Sequence, residues 1–314
     1  FFLFGYLLSF AQESSQKKLF STLPSSVTGI TFRNDIFEDK DLYYYVYDYL
    51  YNGGGVAIGD INNDGLQDIY FSSTLGLNKL YLNLGNLKFR DITISAGVDG
   101  GKGIKTGVNM IDINNDGYLD IFVCKSGPLS TASRKKILYI NNGNETFTDK
   151  AAEYGLDDES HTTQAYFFDY DKDGDMDVYF VDHPVNFSTA SLIDVKMVNG
   201  KTVPAGDSIE KYVSDYLFRN DNGHFTDVSS KSGILNRAFG LSAAVFDFNN
   251  DGWPDIYVAN DFNKPDFLYI NNRNGTFTEK LKNYFSRISF SSMGSDINDI
   301  NNDELYKYLP KESN

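Results

Sequence analysis

Short runs of apolar and aromatic residues recur along this chain in pairs, and an acidic segment separates the two runs of each pair. The pairs are GVAIG (55–59) with DIYFSS (68–73), GVNMI (107–111) with DIFVCK (120–125), AYFF (165–168) with DVYFV (177–181), and AAVF (243–246) with DIYVAN (255–260). Runs of about four to eight residues rich in Val, Ile, Tyr and Phe are typical of β-strands. The pattern therefore predicts four pairs of strands.

A second feature follows each pair of strands. The segments LYLNLGNLKF (80–89), LYINNGNETF (138–147), LFRNDNGHF (217–225) and LYINNRNGTF (268–277) run from an apolar strand through Asn and Gly into a strand that carries Phe. Asn and Gly tolerate the positive φ angles of tight hairpins, so each segment predicts a hairpin. One repeat is thus a strand, an acidic loop, a strand, a connection, a strand, an Asn/Gly turn and a strand.

The repeat predicts an all-β fold of β-propeller type. Acidic loops begin at Asp60, Asp112, Asp169 and Asp247, at intervals of 52, 57 and 78 residues. Four antiparallel strands at a period near fifty residues form a propeller blade, and such sheets bury both faces when the blades stack radially. The predicted blades are 46–100, 101–158, 159–236 and 237–288, with a partial fifth at 289–314, so the propeller is incomplete. The long third interval places an insertion at 183–212.

The acidic segment between the first two strands has one nine-residue pattern: Asp, any residue, Asp or Asn, any residue, Asp, Gly, two further residues and Asp. Ca²⁺ takes about six to eight oxygen ligands in a flexible shell. Side chains at positions 1, 3 and 5 converge when the backbone curls, and Gly at position 6 permits the sharp turn. The carbonyl at position 7 then faces inward and Asp at position 9 closes the shell. The four loops predict about four Ca²⁺ sites.

The predicted metal ligands are the side chains at positions 1, 3, 5 and 9 and the carbonyl at position 7. They are Asp60, Asn62, Asp64, Leu66 and Asp68; Asp112, Asn114, Asp116, Tyr118 and Asp120; Asp169, Asp171, Asp173, Asp175 and Asp177; and Asp247, Asn249, Asp251, Trp253 and Asp255. The alternative is that Asp, Asn and Gly form these turns without an ion.

Two comparisons limit the loop assignment. An EF-hand needs an acidic ligand at position 12, whereas that position is apolar in all four loops, as Phe71, Val123, Phe180 and Val258. A degraded fifth loop keeps Asp299, Asn301 and Asp303, but Glu304 replaces the glycine and Lys307 replaces the closing aspartate. We expect weak or no metal binding there.

Composition and termini add further expectations. The net charge of −15 makes nucleic acid and anionic membranes unlikely partners, and Cys124, the only cysteine, is expected to be a buried thiol in a strand. The apolar start FFLFGYLLSFA (1–11) resembles the remnant of a signal peptide, and 12–45 forms a separate N-terminal segment. Eleven residues are too few to span a bilayer. The expected location is therefore secreted or at the cell surface.

These motifs resemble the FG-GAP/VCBS repeat family, which includes the propeller of integrin α subunits and a secreted cartilage-acidic-protein/UnbV-like group. YNGGGVAIGDINNDG (51–65) and NDGWPDIYVANDF (250–262) carry the resemblance to bacterial secreted members most clearly, although GGGVAIGD stands where the Phe-Gly signature is expected. The resemblance implies a Ca²⁺-binding propeller, often of seven blades, used for adhesion or recognition. The chain is then a fragment of the ring.

The function favoured by these features is a secreted, non-catalytic, calcium-binding module that recognises an extracellular protein or glycan. Asp194, Lys196, Lys201, Asp207 and Lys211 of the insertion are candidate contact residues, with a solvated loop as the alternative. The alternative function is a propeller-based lyase or glycoside hydrolase, for which His161, His183 and His224 are the histidines on offer. The Tyr-rich run 41–51 is expected to pack as a strand on the first blade, rather than to form a platform for sugars.

Overall fold

A computed structural model describes residues 19–185, 195–198, 200–204, 213–262, 264–289 and 291–297. The predicted signal remnant at 1–11, the fifth acidic loop at 299–303 and the candidate contacts Asp194, Asp207 and Lys211 lie outside these residues. The described chain forms four sheets of four antiparallel strands, which confirms the all-β class and the predicted blade composition.

The strands follow the chain in order within each blade. Blade one contains β1 (Val56–Gly59), β2 (Asp68–Phe71), β3 (Lys79–Asn83) and β4 (Phe89–Asp91), and blade two contains β5 (Ile104–Ile111), β6 (Asp120–Ser126), β7 (Ile137–Asn141) and β8 (Phe147–Asp149). Blade three contains β9 (Thr162–Phe168), β10 (Asp177–Asp182), β13 (Tyr216–Asn220) and β14 (Phe225–Asp227). Blade four contains β15 (Phe239–Phe246), β16 (Asp255–Asp261), β17 (Phe267–Asn271) and β18 (Phe277–Glu279). The predicted insertion in blade three holds a separate hairpin, β11 (Val195–Val198) and β12 (Lys201–Pro204).

Among the residues that the structure describes, helical structure is limited to single turns. They are Ser25–Thr28, Thr93–Ala96, Thr131–Arg134, Ala151–Tyr154, Ser229–Ser232 and Leu281–Tyr284. The turns that follow the first three blades end at Gly97, Gly155 and Gly233, whose φ angles of 76°, 77° and 80° explain the glycine at the end of each repeat. No helix in the described ranges is long and apolar enough to cross a bilayer.

The first strand of each blade lies next to the first strand of the following blade. Thr106 joins three of them, because its carbonyl accepts from Gly55 N at 2.8 Å and its Oγ1 donates to the Thr162 carbonyl at 2.7 Å. Thr163 Oγ1 then donates to the Gly240 carbonyl at 3.1 Å. A Cβ on Gly107 would lie 2.7 Å from the Thr163 carbonyl oxygen, so the strands pass too closely there for a side chain. This succession of β1, β5, β9 and β15 places the inner strands around a common centre.

Apolar clusters fill the space between successive blades. Tyr70, Ile121 and Val123 belong to the cluster between blades one and two, and Phe122 and Phe180 to the cluster between blades two and three. A third cluster joins blades three and four. The thiol of Cys124 is fully buried in the second cluster, which confirms the predicted burial. Burial between sheets explains why the second strands are apolar on both faces.

The N-terminal segment crosses the centre of the blades. Leu42, Tyr47, Tyr49 and Leu50, here called the central plug, are buried against Ile104 of blade two, Phe239 and Leu241 of blade four, and flanking side chains from blades one and three. Residues 41–51 consist of bends and turns, so the expectation of a strand on the first blade is wrong. The aromatic side chains of the central plug thus fill space between the inner strands of the blades.

Candidate metal centres

The four nine-residue loops have the same backbone conformation. The residue at position 4 has a positive φ near 60° in every loop, and Gly at position 6 has a φ between 83° and 100°. The position-4 residues are Asn63 (60°), Asn115 (56°), Lys172 (61°) and Asn250 (55°). Two left-handed residues separated by one residue curl the chain tightly, and only Gly adopts such angles without a steric cost. The shared Asp-Gly sequence, preceded by Asn in three loops and by Lys172 in the third, therefore adopts one loop shape.

The aspartate at position 1 stabilises the curled backbone by accepting hydrogen bonds from backbone N–H groups of its own loop. In the first loop Asp60 Oδ1 accepts from Asp64 N at 3.1 Å and Oδ2 accepts from Gly65 N at 2.7 Å. The same pair of bonds occurs at Asp112 and Asp247, and Asp169 Oδ2 accepts from Gly174 N at 3.1 Å. Charge-assisted bonds of this kind fix the carboxylate at the centre of the loop.

The aspartate at position 9 anchors the loop to the blade. Asp120 is fully buried, and its Oδ2 accepts from Ile113 N at 3.2 Å while its Oδ1 accepts from Asn141 N at 2.7 Å. Equivalent pairs of bonds occur at the other three closing residues, Asp68, Asp177 and Asp255. A carboxylate has about four acceptor positions, so two backbone bonds leave capacity for a further partner.

Positions 3 and 5 complete the polar interior. Asn62 Oδ1 accepts from Asp64 N at 3.3 Å, and Asp64 Oδ1 accepts from Leu66 N at 2.8 Å. The bond from position 7 to position 5 recurs at Tyr118, Asp175 and Trp253, all at 2.9 Å. The backbone at position 7 is therefore held against the carboxylates in every loop.

The third loop brings its carboxylates closest together. Oxygens of Asp169, Asp171 and Asp177 lie within 4.8 Å of one another, which is the spacing of ligands around one cation. Within the described chain, Asp169 Oδ1 and Asp171 Oδ1 are buried and have no hydrogen-bond partner. Buried acceptors that lack a donor are costly, and a bound hard cation would satisfy them. This donor set of carboxylate oxygens fits Ca²⁺.

Burial and repulsion between carboxylates raise the pKa values of the aspartates at position 9. Burial raises the pKa of Asp177 to about 7 and that of Asp120 and Asp255 to about 6, against the opposing effect of their backbone hydrogen bonds. The neighbouring carboxylates of each loop add to these raised pKa values. A cluster of this kind favours either protons or a cation.

A further residue of each repeat supports the loops and was treated in the sequence only as a turn former. It is the asparagine at the end of the third strand: Asn83, Asn141, Asn220 and Asn271. Asn271 Nδ2 donates to the Pro254 carbonyl of its own loop at 3.2 Å and to the Tyr170 carbonyl of the preceding loop at 2.8 Å. Asn141 joins the second loop to the first in the same way, through the Leu119 and Ile61 carbonyls. The recurrence of Asn directly after LYL, LYI or LFR is the sequence signal that identifies these asparagines.

Neighbouring loops also contact each other directly. Asn63 Nδ2 donates to the Gly117 carbonyl at 2.9 Å, and Lys172 Nζ lies 5.3 Å from the centre of the Trp253 ring. In the fourth loop Arg273, from the hairpin turn, approaches Asp251 Oδ2 with Nε at 3.1 Å and an Nη at 3.0 Å. Position 5 of the fourth loop thus already has a cationic partner.

Two of the three histidines considered for catalysis, His161 and His183, are buried, unlike a general base at a surface. Burial lowers the pKa of His183 to about 4 and that of His161 to about 2, so both rings are neutral at neutral pH. His183 Nε2 lies 3.1 Å from Ser126 Oγ, but Ser126 is fully buried. His224 lies in the hairpin turn of blade three, as expected.

Comparison with known proteins places these loops in a family. The FG-GAP-like repeat family matches at residues 60–123, 129–180, 207–258 and 247–305, a span that contains all four loops. Cartilage acidic protein 1 of Xenopus tropicalis is 34% identical over 134 residues, which is 41% of this chain and 20% of that protein. The mouse protein of the same name, from Mus musculus, is 31% identical over 142 residues, 45% of this chain and 21% of that protein. The matches therefore span about a fifth of the length of these relatives.

A solved structure with a similar chain trace is an Agrocybe aegerita lectin described as recognising non-reducing terminal N-acetylglucosamine. It has a TM-score of 0.38 and 18% identity, and the likeness covers 71% of this chain and 50% of that chain.

Proposed function

Because this chain belongs to the FG-GAP-like repeat family, we propose that it is a calcium-binding β-propeller that recognises an extracellular protein or glycan without catalysing a reaction. The observation that carries the calcium assignment is the shared loop architecture, in which the hydrogen bonds from the glycine N to position 1, from the position-7 N to position 5 and to both oxygens of position 9 recur in four blades. The unpartnered, buried oxygens of Asp169 and Asp171 within the described chain support it further.

The residues proposed to hold Ca²⁺ are the side chains at positions 1, 3, 5 and 9 of each loop, with the carbonyl at position 7. Bound Ca²⁺ would supply positive charge to a cluster of carboxylates and cross-link the two strands that the loop joins. The loop closes one end of each blade, so metal binding would stiffen that end and stabilise the folded chain. Mg²⁺ is the poorer candidate because it requires a tighter octahedral shell.

The extracellular part of the proposal has separate support. The net charge of −15 disfavours nucleic acid and anionic membranes as partners, and the apolar start at 1–11 supports export to the cell exterior. Secretion is tested by expressing the chain with a C-terminal tag and comparing medium with cell lysate. A tag confined to the lysate would contradict the extracellular location.

The calcium proposal predicts a thermal response. We expect Ca²⁺ to raise the melting temperature of the full chain and EGTA to lower it, because a ligand that binds only the folded state stabilises it by about 2.7 kcal/mol at one hundred times its Kd. Asp116→Ala removes a ligand from the second loop and should weaken this response. Asp157→Ala, which removes a partly exposed carboxylate paired with Lys135 at 2.6 Å outside the loops, is the control. Equal melting curves in Ca²⁺ and EGTA would contradict the proposal.

A further inference from the structure

Two of the four asparagines that end the third strands join neighbouring metal loops. Asn141 joins the second loop to the first, and Asn271 joins the fourth to the third, because each Nδ2 donates to one carbonyl of either loop. The carbonyls belong to position 8 of the asparagine's own loop and to position 2 of the preceding loop. Position 2 lies between the predicted ligands at positions 1 and 3, and position 8 lies between those at positions 7 and 9. Each of these two bridging asparagines therefore fixes backbone beside the ligands of two sites.

Position 4 adds a second contact within the same two pairs of loops. Asn63 Nδ2 of the first loop donates to the Gly117 carbonyl of the second loop at 2.9 Å. Lys172 of the third loop places its ammonium group 5.3 Å from the centre of the Trp253 ring in the fourth loop. The first and second loops thus form one linked pair, and the third and fourth loops form another.

The second and third loops belong to successive blades but lack these contacts. Asn220 Nδ2 donates to the Met176 carbonyl of its own loop at 3.1 Å, and the described chain offers it no acceptor in the second loop. Across the described residues, no hydrogen bond or ion pair joins 112–120 to 169–177. The four loops are therefore linked as two separate pairs.

The missing bridge accompanies a shorter hairpin turn in blade three. The turn between β13 and β14 has four residues, whereas the corresponding turns of the other three blades have five. The Oδ1 atoms of Asn141 and Asn271 accept from the N–H group two positions later. Asn220 Oδ1 instead accepts from Gly223 N, three positions later, at 2.7 Å. The amide of Asn220 is thus held by a different turn from that of the two bridging asparagines.

A bridge of this kind connects the ordering of two loops. Binding of a cation relieves the repulsion among the carboxylates of one loop and orders its backbone. The bridging asparagine then holds a carbonyl of the neighbouring loop in place, so binding there loses less conformational entropy. Repulsion between two bound cations opposes this effect, but it acts between all neighbouring loops, whether or not they are bridged. A favourable coupling is therefore expected only where a bridge exists.

We propose that Asn141 and Asn271 couple Ca²⁺ binding within two pairs of loops, first with second and third with fourth, and that the second and third loops lack this coupling. The inference rests on the proposed calcium function and adds a regulation of the same sites, since the ions bind as two cooperative pairs. Because coupling between binding sites is reciprocal, either loop of a pair raises the affinity of the other. The two asparagines are positioning residues, since they act on the ligands through the backbone.

The second loop offers a matched test, because it has a bridged neighbour on one side and an unbridged neighbour on the other. Combining Tyr118→Trp with Trp253→Tyr exchanges the position-7 residues of the second and fourth loops, so the single tryptophan then lies in the second loop. Tb³⁺ luminescence excited through tryptophan reports on that loop, and competition with Ca²⁺ gives its Ca²⁺ affinity. All measurements use the full chain.

Two substitutions in this background disable the neighbouring loops in the same way. Asp64→Ala acts on the first loop and Asp173→Ala on the third, and each removes the position-5 aspartate and one negative charge. Asp64→Ala should weaken cation binding at the second loop about fivefold, the lower end of typical coupling between sites. Asp173→Ala should change it by less than about twofold, because no bridge transmits the change.

Removal of the bridge tests its role directly. In an Asn141→Ala background the effect of Asp64→Ala should disappear, and the double-mutant cycle separates this loss of coupling from any direct loss of affinity. Asn63→Gly removes the exposed position-4 contact and suits the φ of 60° at that residue, so it retains the loop shape. It should reduce the effect of Asp64→Ala without abolishing it. If Asn141→Ala does not fold, the comparison of Asp64→Ala with Asp173→Ala decides the question.

Three outcomes would overturn the coupling while leaving the calcium assignment intact. Equal weakening by Asp64→Ala and Asp173→Ala would mean that charge, rather than the bridge, connects the loops. No weakening by either variant would mean that the loops bind independently. An undiminished effect of Asp64→Ala in the Asn141→Ala background would exclude the asparagine as the connection. Failure of the calcium proposal is distinct, because the second loop would then show no Tb³⁺ signal that Ca²⁺ displaces.

Discussion

The third and fourth loops have the same backbone curl but different partners for their carboxylates. In the third loop all four predicted side-chain ligands are aspartates, and the buried oxygens of Asp169 and Asp171 lack hydrogen bonds within the described chain. In the fourth loop position 3 is Asn249, and the guanidinium of Arg273 contacts Asp251 at 3.0 Å. The third loop is therefore the more anionic of the two.

The difference shows that a shared motif fixes loop shape but not loop charge. Backbone N–H groups donate to the aspartates at positions 1, 5 and 9 in both loops, so these bonds follow from Asp and Gly at the shared places. The net charge of the site depends on position 3 and on residues outside the motif, such as Arg273 of the hairpin turn. Calcium affinity in such loops follows the charge count of the ligands. We expect the third loop to bind Ca²⁺ more tightly than the fourth.

The largest loss of stability is expected from removing the side chain that joins the third and fourth loops. Asn271→Ala removes three hydrogen bonds of a buried side chain, to the Tyr170 carbonyl of the third loop, to the Pro254 carbonyl of the fourth and from Arg273 N. Unpaired buried carbonyls each cost about 1–3 kcal/mol, so the free energy of unfolding should fall by about 2–3 kcal/mol. Urea unfolding followed by circular dichroism measures this change.

Two other asparagines calibrate that value. Asn220→Ala removes the bond to the Met176 carbonyl of its own loop and the bond from Gly223 N, so it should cost less. Asn272→Ala changes the adjacent, exposed asparagine, which bonds to threonine side chains of its own hairpin, and should cost least. Equal losses at Asn271 and Asn272 would show that the link between the loops contributes no stability.

A smaller effect is expected from exchanging position 3 between the loops. Asp171→Asn gives the third loop the side chain of the fourth, and Asn249→Asp makes the opposite exchange. Each changes the site by one charge, so the affinity of the strongest Ca²⁺ site should fall about tenfold in Asp171→Asn, while the fourth loop should gain affinity in Asn249→Asp. Calorimetric Ca²⁺ titration of both variants and the parent chain measures these shifts. An unchanged strongest site in Asp171→Asn would place that site in another loop.

The sequence predicted the parts of this structure that repeat. Apolar pairs flanking an acidic loop located the first and second strands of every blade, and the segments LYL, LYI, LFR and LYI before the Asn/Gly turns located the third, because strands and hairpins depend on local pattern. The convergence of Asp169, Asp171 and Asp177 was likewise predictable from spacing.

Contacts that do not repeat from blade to blade were not predictable from that pattern. Arg273 reaches Asp251 across 22 positions, and Asn271 reaches the Tyr170 carbonyl across 101 positions. The Tyr-rich run has the composition of a strand, yet it packs as turns at the centre because the space between the inner strands is shared by all four blades. Such contacts depend on how blades are arranged, which no single repeat encodes.

The smallest effect, a change in the cation affinity of the fourth loop, is expected from replacing Arg273. The equivalent turn position in blades one and two is glycine, Gly85 and Gly143, and Arg273 has a φ of 62° that glycine adopts more readily. Arg273→Gly should therefore keep the turn while removing the guanidinium from Asp251. An exposed ion pair contributes about 1 kcal/mol or less, so the fourth loop should gain about two- to fivefold in cation affinity.

Trp253 makes this change measurable at one loop. It is the only tryptophan of the chain and occupies position 7 of the fourth loop, so Tb³⁺ luminescence excited through tryptophan reports mainly on that site. Half-saturation should shift to lower Tb³⁺ in Arg273→Gly and by less in Arg273→Lys, which keeps a cation near Asp251. Arg90→Gln changes the net charge equally in blade one, where Arg90 pairs with Glu145 at 3.6 Å, and should leave the titration unchanged. An equal shift in Arg90→Gln and Arg273→Gly would mean that overall charge, rather than the contact with Asp251, separates the fourth loop from the third.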